Sequence, residues 1–229
     1  MGARRLRARP RVGGKEPADH GGQRLTPIAE TGLTAFLRLA QGRRGHFRLE
    51  SGHHSALWLD LDALFADPRA IAPFVAALVA QLREHEADVV CGPLLGGAFL
   101  AQLMAHSLAA EFCFTERSAV ADGLFGTRYE LPPAHRLRLR GRRVALVDDV
   151  MSAGSALRGT RAALEAAGAI PVVAGAILIL GDLGVGYFAQ QHLPLVAVLR
   201  DSYELWTPAA CPMCMAGQPL EDAGSPAVV

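Results

Sequence analysis

Lysine is almost absent: of the 229 residues only Lys15 is one, and the rest of the positive charge is arginine. Arginine clamps phosphate well but does not donate a proton, so a lysine-borne proton step is excluded from everything beyond residue 15. A formal net charge of +1 excludes a global pull towards nucleic acid or an acidic membrane, and small solutes are the expected partners. Four scattered cysteines exclude a disulfide scaffold, and with no signal peptide the expected location is cytoplasmic. No apolar run reaches membrane-spanning length; the longest, 169–180, suits a buried strand. Aromatic residues are scarce at 6% against 51% hydrophobic residues, the balance of a parallel sheet between Ala- and Leu-rich helices.

What is present is organised around residues 143–161, RVALVDDVMSAGSALRGTR. Val144 to Val147 read as a buried strand ending in two acids, Asp148 and Asp149. A turn of small residues, Met151-Ser152-Ala153-Gly154-Ser155, then opens a helix. Such a turn offers backbone N–H groups, hydroxyls and the positive end of a helix dipole to a phosphate. The acids would repel that phosphate, so they need another partner, and ribose hydroxyls or a Mg²⁺ ion fit best. The bland alternative is an ordinary strand-turn-helix unit with solvated acids at its tip.

The stretch VALVDDVMSAGSA resembles the signature with which type I phosphoribosyltransferases bind phosphoribosyl pyrophosphate (PRPP). Gly45-His46-Phe47-x-Leu49-x-Ser51-Gly52-x-x-Ser55, followed by Asp60, is similar to the N-terminal hood of the orotate phosphoribosyltransferases within that group. The resemblance implies an α/β fold: a central, mostly parallel sheet flanked by helices under a small hood. It implies transfer of the phosphoribosyl group from PRPP to a nucleobase, with orotate first, Mg²⁺ as cofactor and a homodimer as the assembly. Asp148, Asp149 and Arg117 would be catalytic. Val150, Met151, Ser152, Ala153, Gly154, Ser155 and Ala156, with Leu95 and Gly96, would bind PRPP. Ser152, Phe47 and Ser51 would meet the base.

Around this centre, residues 1–25 carry Arg4, Arg5, Arg7, Arg9 and Arg11 among glycine and proline and are expected to form a disordered basic arm. Thr26 or Thr31 would cap a first helix, and the transferase domain would span 26–202 with its hood at about 26–64. Asp67-Pro68 opens a helix to about His85, and the strand at Asp88–Cys91 feeds a glycine turn, Gly92 to Gly97, suited to an anion. Residues 116–135 are polar and read as a long loop, placed where the resemblance expects a lid. An alternating βα pattern then continues to Leu199. Residues 203–229 would be a C-terminal extension whose Cys211 and Cys214 make half of a tetrahedral zinc site. The sequence offers no second pair at matching spacing, so a zinc shared across a dimer and a plain thiol-bearing turn both stay open.

The chain departs from the resemblance in three places. No lysine can serve the lid, so Arg117 or Arg128 would substitute; Glu50 stands where a basic hood residue is usual; and Ala176 to Asp182 lacks the arginine that would grip a base carboxylate. Arg48 or Arg128 could take over that duty. Transfer to another base, or PRPP binding without transfer, are the alternatives. His53 and His54, adjacent in a polar turn, are expected to be solvated.

Overall fold

A run of six buried residues, 144–149, fixes the centre of the molecule: it can be satisfied only by a strand with a layer on each face. The computed structural model describes residues 30–120 and 123–222. In chain order the elements are α1 (Glu30–Leu39), β1 (Arg43–Arg48), β2 (His54–Trp58), α2 (Pro68–Leu82), β3 (Val89–Pro93), α3 (Gly96–Leu108), β4 (Glu111–Val120), β5 (Thr127–Glu130), the single turn α4 (Pro133–Arg136) and β6 (Arg143–Met151). They continue with α5 (Ser155–Ala166), β7 (Ile170–Leu180), α6 (Leu183–Gln190), β8 (Leu195–Asp201), the single turn α7 (Pro212–Met215) and β9 (Glu221–Asp222).

Six strands form one sheet in the order β5-β4-β3-β6-β7-β8, parallel except for β5. Along β6, Ala145 and Val147 enter one apolar cluster and Val144 and Leu146 the other, the two-residue alternation of a strand covered on both sides. The first cluster takes Phe36 of α1, Ile71 and Leu78 of α2 and Leu100 and Met104 of α3. The second takes Leu157 and Leu164 of α5 and Phe188 of α6. The expected α/β layering is therefore present. The chain passes from β3 outward to β4 and from β6 outward to β7 on the opposite side, so the order reverses between β3 and β6, where such sheets open a crevice at their carboxyl ends.

Local signals explain most boundaries. Asp67 accepts a hydrogen bond from the Arg69 amide at 3.0 Å and Pro68 stands at the first position of α2. Gly168, at φ +77°, follows α5. Two boundaries differ from expectation. Gly92 and Pro93 belong to β3, so the turn shrinks to Leu94-Leu95, joined by a cis peptide bond, and α3 starts at Gly96. The polar stretch after Thr115 is not a loop: β4 runs on to Val120 and turns back as β5, an antiparallel hairpin. Its inward residues Thr115, Thr127 and Tyr129 are buried, and Thr115 shares a 2.7 Å hydrogen bond with Thr160 of α5. Ladder bonds thus satisfy a backbone that the polarity of its outer side chains had suggested was a loop.

The hood is a second sheet, β2-β1-β9, whose third strand comes from the C-terminal extension and runs parallel to β1. Thr26 and the basic arm lie outside the described residues, and Thr31 falls inside α1 rather than capping it.

Candidate active site

A cleft of about 980 Å³ opens where the sheet order reverses, beneath the hood. Its floor is the end of β6 and the turn into α5: Asp148, Asp149, Val150, Met151, Ser152, Gly154, Ser155 and Ala156 all line it. Gly154 precedes α5 with φ +77°, a left-handed turn that a side chain would strain, and the first residues of the helix, Ser155 and Ala156, meet the cleft. Leu95, Gly96 and Gly97 form the adjoining wall. A Cβ at Gly96 would stand 2.0 Å from Asp149 Oδ2, so α3 can approach the acids this closely only as glycine.

The two carboxylates are buried and lean on the backbone: Asp148 Oδ1 accepts from the Asp149 amide at 3.1 Å and Asp149 Oδ1 from the Val150 amide at 2.7 Å. Among the described residues no arginine or histidine pairs with either. Burial, reinforced by Asp149, raises Asp148 well above the usual carboxylate range, and burial pushes Asp149 up to about 6. Two desolvated acids without a counter-charge form a site for hydroxyl donors or a hard cation.

Glu50 reaches into the same space from the hood. Its carboxylate accepts from the Tyr129 hydroxyl at 2.7 Å and from Ser155 Oγ at 3.3 Å, and it forms an ion pair with Arg117. Burial and the Glu50 charge raise the Tyr129 hydroxyl, keeping it a donor. Hood, hairpin and the start of α5 are thus joined at one carboxylate. Arg117, Tyr129, Trp58, Asp60, Asp62, Glu221 and Asp222 line the upper walls with Arg43, whose guanidinium lies 4.9 Å from the Trp58 ring.

Several expected site residues are not brought here. Phe47 and Ser51 are buried inside the hood and do not line the cleft; Ser51 Oγ lies 3.1 Å from His53 Nδ1 instead. Ala153 lies buried behind the turn. Arg48 forms an ion pair with Asp222, and Arg128 lines a separate cavity of about 660 Å³ between β5 and α5, so neither faces the cleft. His53 and His54 are buried, not solvated. His53 packs edge-on against Phe125, and burial lowers its basicity. Reasoning from the sequence missed Arg43, Tyr129 and the acids Glu221 and Asp222. Only the alternation of Thr127 and Tyr129 carried a strand signal, and Glu221 and Asp222 carried none. Cys211 and Cys214 stand away from the cleft, beside His46 and His54.

A phosphate turn at the reversal point of a doubly wound sheet, with two buried acids beside it, defines the class of α/β proteins that hold a sugar phosphate. A family model for the phosphoribosyl transferase domain matches residues 63–189, and the chain belongs to that family. An orotate phosphoribosyltransferase of Thermus thermophilus is 31% identical over 190 residues, which span 83% of this chain and 98% of the relative. One from Sulfurimonas denitrificans is 28% identical over 200 residues, covering 79% of this chain and 91% of the relative. Among solved structures, orotate phosphoribosyltransferase from Aeropyrum pernix has a TM-score of 0.56 at 21% identity, covering 76% of this chain and 93% of that one. Adenine phosphoribosyltransferase from Rhodothermus marinus has 0.57 at 23%, covering 74% and 99%. The structural likenesses show the fold.

Proposed function

We propose that this enzyme transfers the phosphoribosyl group of PRPP to orotate and releases pyrophosphate. The observation that carries the reading is the meeting of Asp148 and Asp149 with the 152–156 turn in one cleft, in a chain whose curated relatives are orotate phosphoribosyltransferases. On this reading the amides of Ser152 and of Gly154 to Ala156, with the Ser155 hydroxyl, hold the 5′-phosphate at the α5 N-terminus. Asp148 and Asp149 accept from the ribose hydroxyls, and Leu95 and Gly96 bound the pyrophosphate. The acids, which lack a counter-charge, also fit Mg²⁺ arriving with PRPP, which when bound would neutralise charge on the leaving pyrophosphate.

Displacement at the ribose anomeric carbon builds positive charge on the sugar, so the protein's work is to hold both reactants, stabilise the leaving group and exclude water. Arg117, carried by the hairpin, is the cation for the leaving group. Arg43, the other guanidinium lining the cleft, is the candidate for the base's carboxylate, with Trp58 beside it. It takes the duty for which the sequence suggested Arg48 or Arg128.

We also read the chain as a homodimer: Phe99 and Leu103 are exposed at helical spacing along α3. None of the four cysteines is in a disulfide, which suits a reducing, cytoplasmic setting. The test is formation of the base's ribonucleotide from PRPP and Mg²⁺ with orotate, uracil, adenine and hypoxanthine in parallel. Turnover with orotate alone, weakened mainly in KM by Arg43→Ala, supports the reading. Turnover with another base and none with orotate overturns the assigned substrate. Light scattering of the wild type and of Phe99→Glu tests the dimer.

A further inference from the structure

We propose that His46, His54, Cys211 and Cys214 bind one structural Zn²⁺ ion that fastens the C-terminal segment to the hood. The four ligand atoms lie within 4.8 Å of one another, and none of the four residues lines the cleft. A tetrahedral zinc with bonds of about 2.3 Å to sulfur and about 2.05 Å to nitrogen has edges of about 3.3 Å between nitrogens and about 3.5 Å between nitrogen and sulfur. Here His46 Nε2 stands 3.1 Å from His54 Nδ1, 3.4 Å from Cys211 Sγ and 3.7 Å from Cys214 Sγ, and Cys214 Sγ stands 3.3 Å from His54 Nδ1. These four of the six edges match a tetrahedron around a common centre, and the whole set stays within 4.8 Å.

Hydrogen bonding alone does not account for the cluster. His46 Nδ1 lies 3.0 Å from the carbonyl of Gln218, to which only a protonated nitrogen can bond, so Nδ1 is the donor and a neutral ring presents Nε2 as a bare lone pair. That lone pair then faces three neighbours at once, His54 Nδ1 and both thiols. One lone pair cannot serve three donors, whereas one cation takes a lone pair from each of four ligands. The Gln218 contact is also the outer bond that commonly orients a metal-bound histidine and fixes its tautomer.

The backbone prepares the site from both sides. His54 opens β2 opposite Arg48, and His46 sits in the register shift of β1 between Arg44 and Phe47, which brings the two imidazoles edge to face with ring centroids 5.1 Å apart. Cys211 precedes the single turn α7, and the Met215 amide bonds back to the Cys211 carbonyl at 3.2 Å, a tight turn that brings Cys214 round beside Cys211. Two thiolates and two imidazoles select zinc over magnesium or calcium. Four protein ligands leave no open position, which marks the site as structural rather than catalytic. The half-site legible in the sequence is completed within the same chain, not by a partner. Its placement gives it a purpose: the segment it anchors continues into β9, whose Glu221 and Asp222 pair with Arg43 and Arg48 and form part of the cleft wall.

The test is elemental analysis of the full chain purified without chelator. The expected result is about one zinc per chain, retained in Cys113→Ala and lost in Cys214→Ser and His54→Ala. Because a variant could fail to fold, the wild type is also stripped and reloaded with Co²⁺. The intense visible bands of four-coordinate cobalt with a sulfur-to-metal charge-transfer band support the site; a weak six-coordinate spectrum overturns it. Alkylation mass spectrometry should find Cys211 and Cys214 protected until a chelator is added. Zinc-free protein that stays zinc-free after incubation with the ion, or zinc retained at full stoichiometry in folded Cys214→Ser, overturns the proposal. None of these readouts depends on transferase activity.

Discussion

The Glu50 carboxylate accepts a hydrogen bond from the hydroxyl of Ser155, 3.3 Å away, so a hood residue occupies the first residue of the helix whose N-terminus is the proposed phosphate site. An acid in that position stands in for the anion to come and must give way to it. Glu50→Gln keeps the shape and the hydrogen-bonding capacity but removes the charge. It is expected to tighten Mg²⁺-dependent PRPP binding about tenfold, corresponding to about 1.4 kcal/mol, measured by calorimetric titration. Weaker binding in this variant would mean that the ion pair with Arg117 positions the guanidinium productively and that Glu50 is a helper rather than a competitor.

Asp148→Asn and Asp149→Asn are expected to lower kcat/KM at least about 100-fold while making the ligand-free protein more stable. Each removes a buried carboxylate that no cation neutralises, a gain of about 1–3 kcal/mol. Opposite movement of activity and of the urea midpoint is the signature; a parallel fall in both would make the acids structural.

Stability should depend on pH through the same pair. An acid raised above its unfolded value contributes stability in its protonated form. For Asp149, raised to about 6 by burial, that contribution is complete below about pH 4 and lost as pH rises through about 6. The loss from this residue amounts to about 3 kcal/mol. Urea titrations of wild type minus Asp149→Asn between pH 4 and 8 isolate the effect. Mg²⁺ and PRPP binding should release a proton near pH 6, read from calorimetry in buffers of different ionisation enthalpy.

Gly96→Ala is expected to reduce turnover about 100-fold, because the new methyl would displace Asp149 or move α3 by a comparable distance. Gly186→Ala, on α6 with open space around it, is the control and should leave turnover unchanged.

The parts of this molecule that were legible in the sequence are those in which neighbours along the chain are also neighbours in space. β6, its two acids and the turn into α5 form one continuous segment, and their order carries both the fold and the chemistry. The hairpin was not legible because its exposed side is polar, and the buried Thr127 and Tyr129 are too short a run to outweigh that. Phe47 and Ser51 were assigned to the base because the hood motif contains them. Phe47 is buried behind Arg43 and Trp58, and Ser51 sits in the turn between β1 and β2 against His53; Arg43 and Trp58, paired across the two strands, line the cleft instead. The metal ligands were half legible: two cysteines sit three residues apart, but His46 lies 165 positions before Cys211 and only the hood's closure brings them together. His53 and His54 looked solvated for the same reason, since what buries them comes from distant segments such as Phe125 and the pairing with Trp206.

The parallel pairing of β9 with β1 imposes an order on synthesis. Phe47 and Arg48 leave the ribosome early, whereas Glu221 and Asp222, their partners in the hood, are made long after the six-stranded sheet has been translated. The core can therefore begin to assemble before the cleft wall that β9 contributes. A nascent or prematurely terminated chain lacking those last partners would carry a finished phosphate turn under an unfinished roof. On the proposed function such a chain would hold a sugar phosphate more firmly than a base, because Glu221, the partner of Arg43, is missing while the 152–156 turn is intact.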